Sequence, residues 1–252
     1  MSSDLAVDLR DVRFRYPDGN VALDRLDLQV ARGERVAVLG PNGAGKSTFC
    51  LHLNGILQPT SGTVTVCGQV LSDRTVKQVR RAVGVVFQDP DDMLFMPTVR
   101  QDVAFGPANL GLSPAEVQTR VQEALEAVGM TAYADRPPHH LSFGQRKRVA
   151  TAAVLAMHPE ILVLDEPSSN LDPRARRELG QILASLELTM LMVTHDLPYA
   201  LELCSRAVVI DAGRIVADAP VEELLADTEL LAAHALELPL GFSLAAFRQQ
   251  VG

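Results

Sequence analysis

The sequence predicts an α/β fold: a core with a mixed, mostly parallel sheet, an N-terminal antiparallel β subdomain and an inserted α-helical subdomain. Three patterns carry that reading. Short apolar runs, "RVAVLG", "VGVVFQ", "ILVLD", "TMLMVTH" and "AVVIDAG", alternate with helical patterns, as in a parallel sheet covered by helices. Ahead of them, "VDLRDVRFRY" and "LDRLDLQV" alternate apolar and polar residues, as an antiparallel sheet with one wet face does. Between "VGVVFQ" and "ILVLD" the strand patterns stop, and helical ones take over from about Val99 to Met157. The expected organisation is one domain over 1–252. Its core spans 1–98 and 158–218, its helical subdomain about 99–157 and its C-terminal helical extension 219–252.

Each element has a local reason. In the insertion, "SPAEVQTRVQEALEAVG" offers Ser113 as N-cap, Pro114 at the first helical position and Glu116 to complete a capping box. Val117, Val121, Leu125 and Val128 then form one apolar stripe. A second helix start, "HHLSFGQRKRVA", has capping-box spacing at Ser142 and Gln145. It then places Arg146, Lys147 and Arg148 where the helix dipole disfavours cations. Those charges are expected either to be solvated or to meet a visiting anion. After Asp218 the pattern is helical again, "PVEELLADTELLAAHALELP". It ends in an apolar tail with Phe242, Leu244 and Phe247, suited to a contact surface or to packing on its own domain.

Composition narrows the function classes. A chain of 252 residues can bury a sizeable core without staples. Its three cysteines, Cys50, Cys67 and Cys204, are odd in number and widely spaced, which suits packing residues in a reducing compartment. Asp4 and Asp8 stand where an export leader needs basic and then apolar residues. No apolar run approaches the roughly 18 residues of a membrane span. A net charge of −8 argues against sequence-independent nucleic-acid binding, and no nucleic-acid partner is expected.

The chemistry is concentrated at strand ends. "GPNGAGKST", Gly40 to Thr48, lies between the apolar "RVAVL" and a helical run. Its glycines let successive backbone N–H groups curl around a phosphate, and the following helix adds its dipole. This makes the core a P-loop core. Lys46 would reach the β- and γ-phosphates of a nucleotide and Ser47 would give its hydroxyl to Mg²⁺. "ILVLDEP" ends a buried strand in Asp165, suited to the Mg²⁺ shell, and Glu166, suited to orienting or deprotonating a water. His195 ends "MVTHD". Gln88 ends "VGVVFQ", where a neutral side chain can reach Mg²⁺ or water. Tyr16 in "RFRYPDG" is a candidate to stack on adenine. Adjacent His139 and His140 lack flanking ligands at metal-site spacing.

The ordered set Tyr16, "GPNGAGKST", Gln88, "LSFGQ", "ILVLDE", "SNLD" and His195 resembles the ATP-binding-cassette ATPases through about Gly213. The resemblance implies ATP held by Tyr16, Gly40, Asn42, Gly43, Gly45, Lys46, Ser47, Thr48 and Gln88. It implies Mg²⁺ held through Ser47, Gln88 and Asp165, with Glu166 and His195 catalytic. It also implies a head-to-tail dimer in which the signature segment Ser142, Phe143, Gly144 and Gln145 closes on the partner's ATP, with Asp172 between the sites. The cations behind Ser142 would then act as an electrostatic lure. Phe143 stands where the most frequent signature has glycine. "VVFQDPDDMLFMPTVRQDVAFGPANLGLS" and "LLAAHALELPL" resemble, more narrowly, the ATP-binding subunit of cobalt/nickel-type energy-coupling-factor importers. That subgroup implies a peripheral protein on the cytoplasmic face of the cell membrane. Its partners are a second ATPase subunit, with identical chains preferred because every motif is intact, an integral membrane scaffold and a substrate-capture subunit. Alternatives are a biotin-like vitamin importer and a soluble cassette of iron–sulfur assembly. A small-molecule kinase leaves "LSFGQ" and His195 unexplained.

Overall fold

A computed structural model describes residues 4–245 and 247. The chain opens with β1 (Leu5–Arg15) and β2 (Val21–Ala31), an antiparallel pair, then β3 (Arg35–Leu39) and α1 (Lys46–Leu53). Next come β4 (Ser61–Val66), β5 (Gln69–Val70), α2 (Val76–Ala82) and β6 (Val83–Val86). The helical stretch follows as α3 (Val99–Asn109), α4 (Pro114–Ala127) and α5 (Phe143–Leu155). The second half alternates β7 (Ile161–Asp165), α6 (Pro173–Ser185), β8 (Thr189–Val193), α7 (Leu197–Leu203) and β9 (Arg206–Asp211). It closes with β10 (Arg214–Pro220), α8 (Val221–Ala226) and α9 (Thr228–Ala233).

Two sheets result. One is antiparallel with order β2-β1-β4-β5, and the other has order β10-β9-β3-β8-β7-β6. In the second, β9 through β6 run parallel and only β10 is antiparallel. The mixed α/β architecture expected from the apolar runs is the one found. β10 continues to Pro220, paired with Arg206 of β9, so the expected core boundary at 218 falls inside a strand. β4 and β5 have no counterpart among the expected strands, because "SGTVTV" offers only two apolar residues, Val64 and Val66, and β5 has only two residues.

Strand alternation explains the layers. Val36 and Val38 of β3 face a core shared with the antiparallel sheet, whereas Ala37 and Leu39 face the core under α6, α7 and α8. α3, α4 and α5 enclose a third cluster, with Val121, Leu125 and Val128 buried and Val117 at its edge. Burying one such side chain contributes about 1.5–3 kcal/mol, so each layer holds its own elements. Ser113 and Glu116 make both halves of the expected capping box. Phe242, Leu244 and Phe247 pack back on the second cluster, so the tail covers its own domain. Cys50 and Cys204 are buried and Cys67 half-buried, all free thiols, with burial pushing Cys204 up to about 12.

Candidate nucleotide site

The carboxyl ends of the parallel strands converge on one cleft of about 290 Å³. β3 delivers the phosphate loop there, β7 delivers Asp165 and Glu166, β8 leads to His195 and β6 to Gln88. The loop needs glycine for two separate reasons. Gly40 and Gly45 have φ of 143° and 104°, and a Cβ on them would lie 2.0 Å from the Ile210 carbonyl oxygen and 2.3 Å from that of Ala22. Lys46 arches back over the loop, its Nζ donating to the carbonyls of Gly40 at 2.7 Å and Pro41 at 2.8 Å. Burial lowers its pKa, while Glu166 and Asp165 favour its charge.

Asp165 has its pKa raised, first by burial and then by neighbouring Glu166; Ser47 opposes this by donating a hydrogen bond to its carboxylate. Glu166 is buried, with φ of 47°, a left-handed backbone that a side chain rarely adopts. Its N–H donates to the Val193 carbonyl at 2.9 Å. One carboxylate oxygen, Oε2, lies 2.8 Å from His195 Nδ1. The His195 side chain is 71% exposed, so this pair links the buried carboxylate to the open side of the cleft. Such a carboxylate can take a proton from a water within reach, with the imidazole orienting it.

Tyr16, Asn42, Gly43, Gly45, Lys46, Ser47, Thr48, Gln88, Asp165 and Glu166 all line this cleft. Gly40 and His195 line the adjoining hollow with Gln88 and Glu166. Tyr16 places its hydroxyl 3.0 Å from Thr48 Oγ1 and its ring edge-on to Phe14. The oxygen donors of Ser47, Asp165 and Gln88 line the same cleft and suit Mg²⁺, which takes few protein ligands and completes its shell with water and phosphate.

Ser142, Phe143, Gly144, Gln145 and Asp172 do not line either hollow. Ser142 and Gln145 cap α5 reciprocally, and Asp172 caps α6 by accepting from the N–H groups of Arg174 and Ala175. These two helix starts touch. A Cβ on Gly144 would lie 2.7 Å from that of Ala175, so glycine there allows α5 to meet α6.

The expectation of a solvated or anion-facing cationic start is corrected. Arg146 pairs with Asp91 at 2.8 Å and donates to the Leu141 carbonyl, and Arg148 pairs with Glu178 at 3.5 Å. Lys147 is wholly buried, with Nζ donating to the carbonyls of Gln88 at 2.5 Å and Glu166 at 3.2 Å. Burial pushes its pKa down to about 8. All three charges have acceptors in their own chain, so none stands free at the helix start. A sequence signal for Lys147 exists: with Ala150, Thr151 and Val154 it shares the buried stripe of α5 at i, i+3, i+4 and i+7.

Residues 23–169 match the ABC transporter family. A Streptomyces coelicolor protein named as a candidate ABC transporter ATP-binding protein is 64% identical over 237 residues, covering 94% of this chain and 91% of its own. The energy-coupling factor transporter ATP-binding protein EcfA of Methanothermobacter thermautotrophicus is 49% identical over 239 residues, covering 92% of this chain and 76% of its own. Among solved structures, cbiO1 from Clostridium perfringens, part of the ABC transporter complex cbiONQ, superposes with a TM-score of 0.82 at 38% identity. That match covers 94% of this chain and 96% of the other. A dimeric ATP-binding cassette in a post-hydrolysis state with ADP and Pi superposes with a TM-score of 0.77 at 29% identity, covering 85% and 98%. The chain belongs to the ABC transporter family, as an ATPase of the energy-coupling-factor type whose ATP hydrolysis is coupled to transport.

Proposed function

We propose that this chain is the ATP-hydrolysing subunit of an energy-coupling-factor importer for cobalt or nickel ions, working on the cytoplasmic face of the cell membrane. Two identical copies close on ATP and Mg²⁺, and hydrolysis lets them reopen. An integral membrane scaffold receives that motion, and a separate membrane protein captures the substrate. The observation that carries this reading is the division of the motifs. The phosphate loop, Asp165 and Glu166 share a cleft, and Ser142–Gln145 lies outside it. A signature segment that misses its own cleft finds its use at a second copy's, and the similarity to a dimeric cassette with ADP and Pi supports that arrangement.

Within each site, Lys46 and the loop N–H groups bind the phosphates, Tyr16 borders the base, and Ser47, Gln88 and Asp165 hold Mg²⁺. The bound ion would shield the phosphate charge against an incoming water. Glu166 takes the proton of that water, and His195 orients Glu166 and reaches toward the γ-phosphate. Ser142, Gly144 and the N-terminus of α5 contact that phosphate from the other copy, flanked by Phe143 and Gln145, and Asp172 sits between the two sites.

No helix of the described residues is long and apolar enough to cross a membrane. Phe95 and Phe105 support a docking face. They are 62% and 45% exposed and stack edge-to-face at 4.9 Å, just beyond Gln88. Similarity to a subunit of the ABC transporter complex cbiONQ supports work within such a complex, and the choice of cobalt or nickel rests on the sequence resemblance. The test is capture of the tagged chain from detergent-solubilised native membranes, followed by reconstitution with whatever integral protein accompanies it. ATP-dependent uptake of radioactive cobalt or nickel into vesicles is expected. Uptake of a biotin-like vitamin would replace the solute, and a fully active ATPase with no membrane partner would favour the soluble assembly class.

A further inference from the structure

Lys147 is a lysine with no exposed surface, and no step of the proposed chemistry uses it. We propose that it is a positioning residue for hydrolysis, tying the helix that presents Ser142 to the backbone carbonyls of Gln88 and Glu166 in the same chain. The inference rests on the roles proposed above for Gln88 and Glu166.

The geometry is specific. One ammonium, on the second turn of α5, donates at 2.5 Å to Gln88, two residues past the end of β6, and at 3.2 Å to Glu166, the residue that follows β7. It therefore fixes the separation of two chain segments on the walls of the nucleotide cleft. Packing alone does not ask for a cation here. An ammonium taken out of water is costly unless its donors are used, and an apolar side chain of similar volume would fill the space without that cost. What the ammonium supplies is direction. Glu166 holds a left-handed backbone at φ 47°, secured on one side by its N–H to Val193 and on the other by its carbonyl to Lys147. Rotation of that peptide would carry the Glu166 carboxylate away from His195, 2.8 Å distant. Because the strut starts on the signature helix, the setting of the catalytic carboxylate also depends on where α5 lies.

The test compares Lys147→Met and Lys147→Gln in the full chain by steady-state Mg²⁺-ATP hydrolysis and thermal unfolding. Methionine keeps the volume without a donor, so kcat should fall about tenfold or more, since a base displaced by roughly 1 Å costs up to about 10²-fold. The KM for ATP should stay within about twofold and the melting temperature should not drop, because binding contacts and packing are kept. Glutamine restores N–H donors and should recover at least about a third of wild-type kcat. Wild-type kcat in Lys147→Met, or a Lys147→Gln no faster than Lys147→Met, would overturn the proposal. So would a raised KM together with a lowered melting temperature, the mark of a packing residue. Glu166→Gln is run beside them. If it stays active, the assignment of the base fails and the strut with it; if it is inactive while Lys147→Met is normal, only the strut fails.

Discussion

The ammonium of Lys46 is fixed over the phosphate loop by the carbonyls of Gly40 and Pro41, so its charge already stands where a polyphosphate needs it. Lys46→Ala should weaken ATP binding by about 1.5–3 kcal/mol, roughly tenfold to a hundredfold, the worth of a charge-assisted hydrogen bond. Equilibrium binding with Mg²⁺ checks this, and wild-type affinity would remove Lys46 from the site. Glu166→Gln keeps the shape of the side chain but cannot accept a proton. Hydrolysis should drop by about 10²-fold or more while ATP still binds. Sedimentation with ATP should then show a lasting dimer; monomer with unchanged turnover would refute both the base and the closure. Both residues are legible in sequence because their motifs are local. The loop and the strand end each need only a few consecutive residues to be recognised.

Between elements, charge placement matters more than propensity. Asp24 on β2 pairs with Arg13 of β1 and Arg214 of β10, tying the antiparallel sheet to the edge of the core sheet. Hydrogen bonds from Arg13 and then Arg214 bring its carboxyl down from 3.8 to about 2. A depressed carboxylate stabilises the fold above its unfolded value and loses that contribution as pH falls through its folded one. Asp24→Asn should therefore melt below wild type at neutral pH, by a few degrees at most because water screens the cluster. That difference should shrink as pH falls from 3.8 toward about 2, and a constant difference across the range would refute the pairing. On α5, the same kind of pairing accounts for cations at a positive helix end. Asp91, Glu178 and the carbonyls of Gln88 and Glu166 outweigh a dipole term of about 0.3–1 kcal/mol. None of these acceptors can be read from the α5 sequence, since they come from other elements.

At the scale of the whole molecule, the proposed dimer makes a prediction that one chain cannot satisfy. Mix Lys46→Ala chains, which lack the phosphate lysine, with Ser142→Arg chains, whose bulky side chain would block the partner's γ-phosphate. At ATP concentrations well below the weakened affinity of Lys46→Ala, each variant should be inactive alone. A head-to-tail mixed dimer joins the intact Lys46 of one chain to the intact Ser142 of the other and restores one complete site. Because turnover can require both sites, ATP-dependent crosslinking between Ser142→Cys and Gly43→Cys in cysteine-free partners is the second readout. No rescue on mixing, with crosslinks only inside one chain, would show that α5 does not serve a neighbour's nucleotide.

Sequence alone determined the α/β core, the helical insertion and the loop-and-carboxylate site. Apolar periodicity records which face of a strand or helix is buried, and a phosphate loop needs its glycines within a few residues of one another. It left β4 and β5 unmarked, because so few apolar residues set no clear period; β4 is held by its pairing with β1, and β5 by its pairing with β4. Tertiary structure alone decided the fate of the α5 cations and of the tail. Whether a lysine is solvated or buried depends on what its helix packs against. Here the ends of β6 and β7 bring two backbone carbonyls to Lys147 from residues 59 and 19 positions away in the chain. A sequence window does not span such separations, and the folded sheet closes them.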